Sequence, residues 1–264
     1  MKNYGPIDVS LTSISSRIPT LPQTIRSLLE QSYSNLKVNL YLSKEPYLLD
    51  EGVSELSTKL SDLLKEAGDR FRISYVENSG PYRKLLPYLW ENWGCSKTVV
   101  TVDDDTIYPS DWLEGLLEAH SIYGCVVGYR GHQVKFNKKG IAPYRQWMRS
   151  GISHNPSPLI LPTGKDGILY NTAFFPSSVM NLKDALQIAP TVDDLWFRWN
   201  LALNGINTYL LNTDYESETF EETDYSSSLY LNFNRQGGND VAIAKLEQYF
   251  SDKFNFKITD YAKT

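Results

Sequence analysis

Strand-forming runs alternate with amphipathic helical segments through the first 102 residues of this chain. The strand-forming runs, rich in β-branched and aliphatic side chains, lie at residues 7–14, 36–42, 71–76 and 98–102. Between them, apolar residues recur at helical spacing over residues 21–29, 53–67 and 85–93. Because a strand, a helix and the next parallel strand form a right-handed crossover, this order predicts an α/β fold with a mostly parallel central sheet flanked by helices.

The second half of the chain is less regular. Residues 131–162 are rich in Gly, Pro, Lys and Arg, which predicts loops that run over the sheet. Residues 214–224 carry six acidic side chains; a solvated loop is the favoured interpretation and a mobile lid is the alternative. Helices are predicted from residue 112 and over 193–204 and 239–250, and strands over 124–129, 168–175 and 206–211. The length of 264 residues fits one large domain.

Three consecutive aspartates follow the fourth predicted strand. Pro109 ends any continuation of that strand, and Asp111 can cap the helix that follows. Asp103, Asp104 and Asp105 therefore lie at the C-terminal end of a central strand, where α/β sheets bind their ligands. Asp103 and Asp105 share one side of the chain if the backbone stays extended. Two convergent carboxylates suit Mg²⁺ or Mn²⁺ bound together with phosphate oxygens.

The aspartate triplet has a second interpretation. Adjacent aspartates are common in solvated turns and at helix N termini, where they interact favourably with the helix dipole. The buried strand before this triplet and the capped helix after it favour a metal-diphosphate site.

Charge and composition limit the classes of partner. A formal net charge of −5 argues against nucleic acid as the main partner. Two cysteines, Cys95 and Cys125, supply neither a disulfide framework nor a thiolate metal site. No stretch approaches the roughly 20 apolar residues of a membrane-spanning helix, and residues 1–6 lack an apolar signal region. We expect a cytoplasmic protein, with peripheral contact at the inner face of the cytoplasmic membrane left open.

Residues 20–35 read TLPQTIRSLLEQSYSN, and residues 103–105 read DDD. These segments resemble the first helix and the DXD motif of bacterial glycosyltransferase family 2, whose members have a GT-A fold. Residues 77–84, ENSGPYRK, and 191–197, TVDDLWF, resemble signatures of a branch acting on surface polysaccharides. The resemblance implies one GT-A domain over residues 1–264. It divides into a Rossmann-like nucleotide-sugar-binding half at about 1–130 and an acceptor-binding half with a C-terminal helix at about 131–264.

The resemblance also implies a reaction. Family members use Mn²⁺ or Mg²⁺ and transfer a sugar, with inversion, from a nucleoside-diphosphate donor that is usually UDP-linked. The acceptor is a glycan or a lipid-linked glycan, here of capsule, O-antigen or lipooligosaccharide synthesis. The enzyme is then a hexosyl- or N-acetylhexosaminyltransferase.

The resemblance assigns roles to residues of this chain. The metal ligands are Asp105 and Asp103, and the general base is Asp194, for which a helix N-cap is the alternative role. The expected donor-binding residues are Thr12, Ser13, Arg17, Asn78, Lys84, Asp103 and Asp104. The expected acceptor-binding residues are Trp196, Asp193 and Trp147. For Lys84 and Arg17 a surface charge is an equal alternative, and for the tryptophans core packing is the alternative.

One departure from the family pattern concerns the end of the second strand. Many members place two aspartates there, whereas this chain has Ser43, Lys44 and Glu45. The acid that contacts the nucleotide base in those members has no counterpart at this position.

Two other function classes fit parts of the sequence. A sugar nucleotidyltransferase also joins an α/β sheet to a metal site, but it usually has a Gly-rich basic loop after the first strand, and residues 13–19 contain no glycine. A glycan-binding protein without catalytic activity leaves the aspartate triplet unexplained. UDP binding with and without Mn²⁺ distinguishes the three.

Overall fold

The elements of the structure follow the predicted alternation. A computed structural model describes residues 2–138, 140–213, 220–221, 229–235 and 237–262, so the predicted acidic segment 214–224 lies outside the described residues except for 220 and 221. The strands are β1 (Ile7–Thr12), β2 (Leu36–Leu42), β3 (Phe71–Tyr75), β4 (Thr98–Thr101), β5 (Val126–Gly128), β6 (Gly131–Gln133), β7 (Phe136–Asn137), β8 (Gly140–Ile141), β9 (Ile160–Pro162), β10 (Ile168–Asn171) and β11 (Thr208–Leu210). The helices are α1 (Leu21–Leu29), α2 (Thr58–Ala67), α3 (Leu86–Glu91), α4 (Trp112–Tyr123), α5 (Tyr144–Trp147), α6 (Leu182–Ile188), α7 (Asp193–Leu203) and α8 (Gly238–Phe254). Among the described residues, no helix is both long and apolar enough to cross a bilayer.

A seven-stranded sheet in the order β11-β5-β10-β4-β1-β2-β3 forms the centre of the fold. Strands β4, β1, β2 and β3 are parallel neighbours, and β11 is parallel to β5. Strand β10 lies antiparallel between β4 and β5. The predicted α/β class with a mostly parallel sheet is confirmed. The division into halves at about residue 130 stays a prediction, and the sheet takes strands from both sides of it.

Strand β10 determines which residues lie next to the aspartate triplet. Its register pairs Ile168 with Thr101, the last residue of β4. Because the two strands are antiparallel, the residues that precede β10 lie at the C-terminal end of β4. Residues 163–167 therefore lie next to the aspartate triplet.

Helices cover both faces of the sheet. Val99 and Val100 are fully buried, and because strand side chains alternate they belong to two different apolar clusters. The Val100 cluster includes side chains from α1, α2 and α4, and the Val99 cluster includes side chains from α3, α7 and α8. This double burial explains why the chain carries only valine and threonine side chains from Thr98 to Val102, just before the aspartates.

Three predicted elements differ from the structure. Helix α2 begins at Thr58 instead of residue 53, because the Ser57 hydroxyl accepts the Leu60 N–H and caps the helix. Strand β10 ends at Asn171, whose side chain accepts the Ala173 N–H and starts a 3₁₀ turn. The predicted loop 131–162 contains α5 and four short strands, which pair as β6 with β9 and as β7 with β8. Strands of two or three residues are too short to give an alternating pattern.

A buried ion pair holds the loop after β2. The Asp50 carboxylate accepts the backbone N–H groups of Ser15 at 2.9 Å and Gly52 at 3.0 Å, and Arg83 Nη2 at 2.8 Å. The Arg83 and Asp50 side chains are only 1% and 2% exposed. Because this carboxylate joins the segments that follow β1, β2 and β3, it fixes their relative positions.

We expect Asp50→Asn to lower the free energy of unfolding by about 3 kcal/mol, because it leaves the Arg83 cation buried without its carboxylate. Chemical denaturation monitored by circular dichroism measures the change. Glu66→Gln is the control: it removes an exposed ion pair with Arg26 and changes stability by less than about 1 kcal/mol. Equal losses in the two variants contradict the structural role of Asp50.

Candidate active site

A cavity of about 530 Å³ opens at the C-terminal ends of β1 and β4. It gathers most of the predicted site residues from distant parts of the chain. Its lining includes Thr12, Ser13, Arg17, Lys84, Asp103, Asp104, Asp105, Asp193 and Asp194, together with Gly164 and Lys165. Three predicted site residues, Asn78, Trp147 and Trp196, do not line it.

The three aspartates have different partners. The backbone turns at Asp104 and Asp105 and does not continue extended. Asp103 pairs with Lys84, whose Nζ lies 2.9 Å from Asp103 Oδ1. Asp104 is buried and accepts the Ser13 hydroxyl and Arg17 Nη1. Asp105 pairs with Arg17 Nη2 at 3.0 Å.

Neighbouring cations offset the negative charges of the three aspartates to different extents. Burial, and then repulsion from Asp103 and Asp104, raises the pKa of Asp105 to about 7. Burial also acts to raise the pKa of Asp103, but Lys84 outweighs it and holds that pKa below the ordinary value. An additional cation would therefore stabilise the charged form of Asp105 more than that of Asp103.

The residues fit a metal site that the protein completes only in part. Asp103 and Asp105 offer hard oxygen ligands, and the Arg17 guanidinium already bridges Asp104 and Asp105, which shows that this pair attracts positive charge. Within the described ranges, no group of three or more His, Cys, Asp or Glu side chains is placed to hold a metal ion. A metal ion held by Asp103 and Asp105 would take its remaining ligands from a phosphate group and water, as is usual for Mg²⁺.

Lys84 and Arg17 are not surface charges. Lys84 ends the 3₁₀ turn Gly80–Lys84, and its Nζ, which pairs with Asp103, also lies 4.0 Å from Asp193 Oδ2. Burial acts to lower the pKa of Lys84, but Asp103 and the two aspartates of α7 raise it well above its ordinary value. Each side chain is about 12% exposed. Lys84 thus connects the end of β4 with the start of α7.

Asp194 lies in the first turn of α7, and its Oδ2 accepts the backbone N–H of Gly164 at 3.0 Å. The N-cap residue of α7 is Val192, and no side chain caps the helix, so the N-cap interpretation of Asp194 is wrong. Burial, and then repulsion from Asp193, raises the pKa of Asp194 to about 7. A carboxylate with such a pKa is suited to accept a proton near neutral pH.

Three predicted contact residues are corrected by the structure. Trp147 and Trp196 are fully buried, and their indole N–H groups donate to backbone carbonyls at 2.8 and 3.0 Å. They pack in the core and provide no stacking surface for an acceptor. Asn78 does not line the cavity; it donates to the Glu45 carbonyl at 2.6 Å and to Asp50 Oδ2 at 3.3 Å, and so stabilises the loop after β2.

The sequence analysis did not identify two oppositely charged residues that line the cavity, Asp50 and Arg83. Asp50 stands in the loop after β2, near the position where an acid was expected to be absent, and Arg83 lies beside it. Both Asp50 oxygens are bound by protein donors, from the backbone of Ser15 and Gly52 and from the side chains of Arg83 and Asn78. A separation of 33 residues hides this pair from any local pattern.

The segment 164–170, which leads into β10, begins with a fixed turn. Gly167 N–H donates to the Gly164 carbonyl at 3.2 Å, and Trp112 Nε1 donates to the Asp166 carbonyl at 2.7 Å. The pair of glycines around a Lys-Asp dipeptide was the sequence signal for this turn.

Comparison with known proteins finds similarity to solved structures but none to curated sequences. No family model matches the sequence, and no curated protein sequence matches it. The crystal structure of S. aureus TarS residues 1–349 is similar with a TM-score of 0.52 and 14% identity, over 95% of this chain and 73% of that chain. The same protein in complex with UDP-GlcNAc is similar with a TM-score of 0.53 and 14% identity, over 93% of this chain and 73% of that chain.

The chain has a GT-A-like fold. This confirms the fold that the sequence resemblance implied. A crystal structure of 4-diphosphocytidyl-2C-methyl-D-erythritol synthase from Anaerococcus prevotii is also similar, with a TM-score of 0.47 and 12% identity over 88% of this chain and 96% of that chain.

We expect the Asp194 side chain to titrate with a midpoint near pH 7, well above the ordinary aspartate value of about 4. Carbon-13 NMR of the carboxyl groups measures the midpoint, and Asp194→Asn assigns the signal. Asp193→Asn lowers the midpoint, because it removes the adjacent negative charge. A wild-type midpoint near 4, or no change in Asp193→Asn, contradicts this account.

Proposed function

We propose that this chain is a metal-dependent, inverting glycosyltransferase that uses a UDP-linked sugar. The observation that carries the proposal is the meeting of two carboxylate sets in one cavity. Asp103 and Asp105 stand at the end of β4, and Asp194 stands across from them at the start of α7. The TarS crystal structure of the same fold, which holds UDP-GlcNAc, supports a nucleotide-sugar donor.

The donor side of the cavity binds the diphosphate. Asp105, with Asp103, would hold Mn²⁺ or Mg²⁺, which when bound neutralises the negative charge that grows on the leaving diphosphate. Arg17 adds a guanidinium beside this position and keeps Asp104 in place. Thr12 and Ser13 line the cavity at the end of β1, where parallel strands present their ligand-binding loops.

The acceptor side activates the attacking hydroxyl. The oxygen of the acceptor hydroxyl bonds to the anomeric carbon, and Asp194 takes the proton of that hydroxyl. The bond from the anomeric carbon to the diphosphate breaks at the same time, and UDP leaves. Attack on the face opposite the leaving group inverts the configuration. Buried apolar side chains of α7, including Leu195 and Trp199, anchor the helix and hold the base in position.

The acceptor class rests on the sequence resemblance. The segments 77–84 and 191–197 resemble a branch that builds surface polysaccharides, so we propose a capsule, O-antigen or lipooligosaccharide glycan as acceptor. The transferred sugar is then a hexose or an N-acetylhexosamine. We propose that Asp193, which lines the cavity next to the base, contacts this acceptor.

We expect Asp105→Asn to weaken UDP binding in the presence of Mn²⁺ by at least about tenfold, because it removes the proposed principal metal ligand. Calorimetric titration with and without Mn²⁺ measures the effect, and Asp69→Asn, at an exposed aspartate, is the control. Wild-type affinity in a folded Asp105→Asn variant contradicts the metal assignment. Release of pyrophosphate from UTP and a sugar phosphate, with no UDP released from UDP-sugars, identifies a nucleotidyltransferase instead.

We expect Asp194→Asn to lower the rate of sugar transfer by about a hundredfold or more, because an amide cannot accept the proton of the acceptor hydroxyl. Its affinity for UDP stays near the wild-type value, because the base contacts the acceptor and not the donor. Initial rates of UDP release with acceptor and calorimetric UDP binding measure the two effects. If Asp193→Asn loses transfer and Asp194→Asn retains it, the assignment of the base is wrong.

A further inference from the structure

Residues 163–167, between β9 and β10, form a turn that the protein holds at several points. Within it, Gly167 donates to the Gly164 carbonyl. From outside it, Trp112 donates to the Asp166 carbonyl at 2.7 Å, and Tyr129 N–H donates to the Gly167 carbonyl at 3.3 Å. The backbone of Gly164 therefore has a defined position relative to the sheet.

Gly164 contacts the proposed base and the proposed donor site at the same time. Its N–H donates to Asp194 Oδ2 at 3.0 Å. A Cβ atom built on Gly164 would lie 2.7 Å from Lys84 Nζ, 3.4 Å from Asp103 Oδ1 and 3.5 Å from Asp194 Oδ1. A carbon at 2.7 Å from nitrogen is closer than van der Waals contact, so a side chain at this position displaces Lys84 or the turn.

Backbone conformation does not explain the glycine. Gly167 has a φ of +101°, a left-handed conformation that favours glycine, whereas Gly164 is not among the positive-φ residues. The φ of Gly164 therefore does not exclude alanine. The requirement at residue 164 is for space next to three charged side chains.

We propose that Gly164 is a positioning residue that aligns the base Asp194 with the donor site. Its N–H holds one oxygen of the Asp194 carboxylate, and no described donor hydrogen-bonds to the other oxygen, Oδ1. Its bare Cα lets the Lys84–Asp103 ion pair approach the same peptide. The peptide therefore sets the distance between the base and the donor-site carboxylates. This role rests on the proposed glycosyltransferase function.

The first experiment compares Gly164→Ala with Gly151→Ala. Gly151 also has an ordinary φ, is exposed, and has open space where a Cβ would lie, so it is a matched control. We expect Gly164→Ala to lower kcat by about 10- to 100-fold, the scale of a misplacement of about 1 Å, and Gly151→Ala to keep the wild-type kcat. A Gly164→Ala variant within twofold of the wild type overturns the proposal.

A double variant separates positioning of the base from a general structural defect. If Gly164 acts through Asp194, adding Gly164→Ala to Asp194→Asn lowers kcat by less than about twofold more, because the aligned group is already lost. If the two losses multiply, Gly164 does not act through Asp194 and the proposal is overturned.

A second measurement uses melting temperatures and requires no enzymatic activity. It can therefore test the role of Gly164 separately from the proposed function. We expect Gly164→Ala to lower the melting temperature in the wild-type background and to lower it much less in a Lys84→Ala background, where Nζ no longer meets the new methyl group. A Gly164→Ala protein that folds only with Lys84→Ala shows the same steric coupling. Equal decreases in both backgrounds, or failure to fold in both, overturn the proposal. If the wild type transfers no sugar from any UDP-sugar, the proposed function fails and this cycle still tests the packing.

Discussion

Repulsion among carboxylates at the end of β4 is the constraint on which the rest of the site depends. Asp103, Asp104 and Asp105 are adjacent in the chain, and a buried carboxylate without a partner costs several kcal/mol. Arg17, from the loop after β1, and Lys84, from the turn after β3, supply the compensating charge. Parallel strands end at one edge of the sheet, so the fold brings these cations to the aspartates.

Neighbouring cations offset the negative charge of Asp105 and Asp194 only in part. The pKa values of Asp105 and Asp194 are both raised to about 7, by burial first and then by neighbouring aspartates. Groups with such shifted values concentrate at functional sites, because the arrangement that destabilises the charged form also prepares the group to bind a cation or a proton. In the proposed reaction Asp105 binds the cation and Asp194 binds the proton.

The turn before the antiparallel strand β10 lies close to both Asp194 and Asp103. Strand β10 lies between β4 and β5, and its register places residues 163–167 next to the C-terminal end of β4. From there the Gly164 peptide reaches Asp194 on α7 and leaves space for Lys84. Asp194, the proposed base, is therefore held from two sides, by the buried apolar face of its own helix and by the turn that precedes β10.

Local sequence determined the elements and the position of the aspartate triplet. The alternation of strand-forming and helical runs predicted the α/β sheet, because hydrophobic periodicity is a local property of each segment. The apolar run through Val99 and Val100 placed the triplet at a strand end.

Tertiary structure decided which side chains meet. Trp147 and Trp196 are aromatic near expected contact regions, but whether such a ring is buried depends on helices far away in sequence. The Asp50–Arg83 ion pair and the contact of Gly164 with Asp194 join residues separated by 33 and 30 positions, and no periodicity encodes contacts of that range. The sequence thus determined where negative charge accumulates, and only the packing of the sheet and helices decided which cations neutralise it and which carboxylates keep a raised pKa.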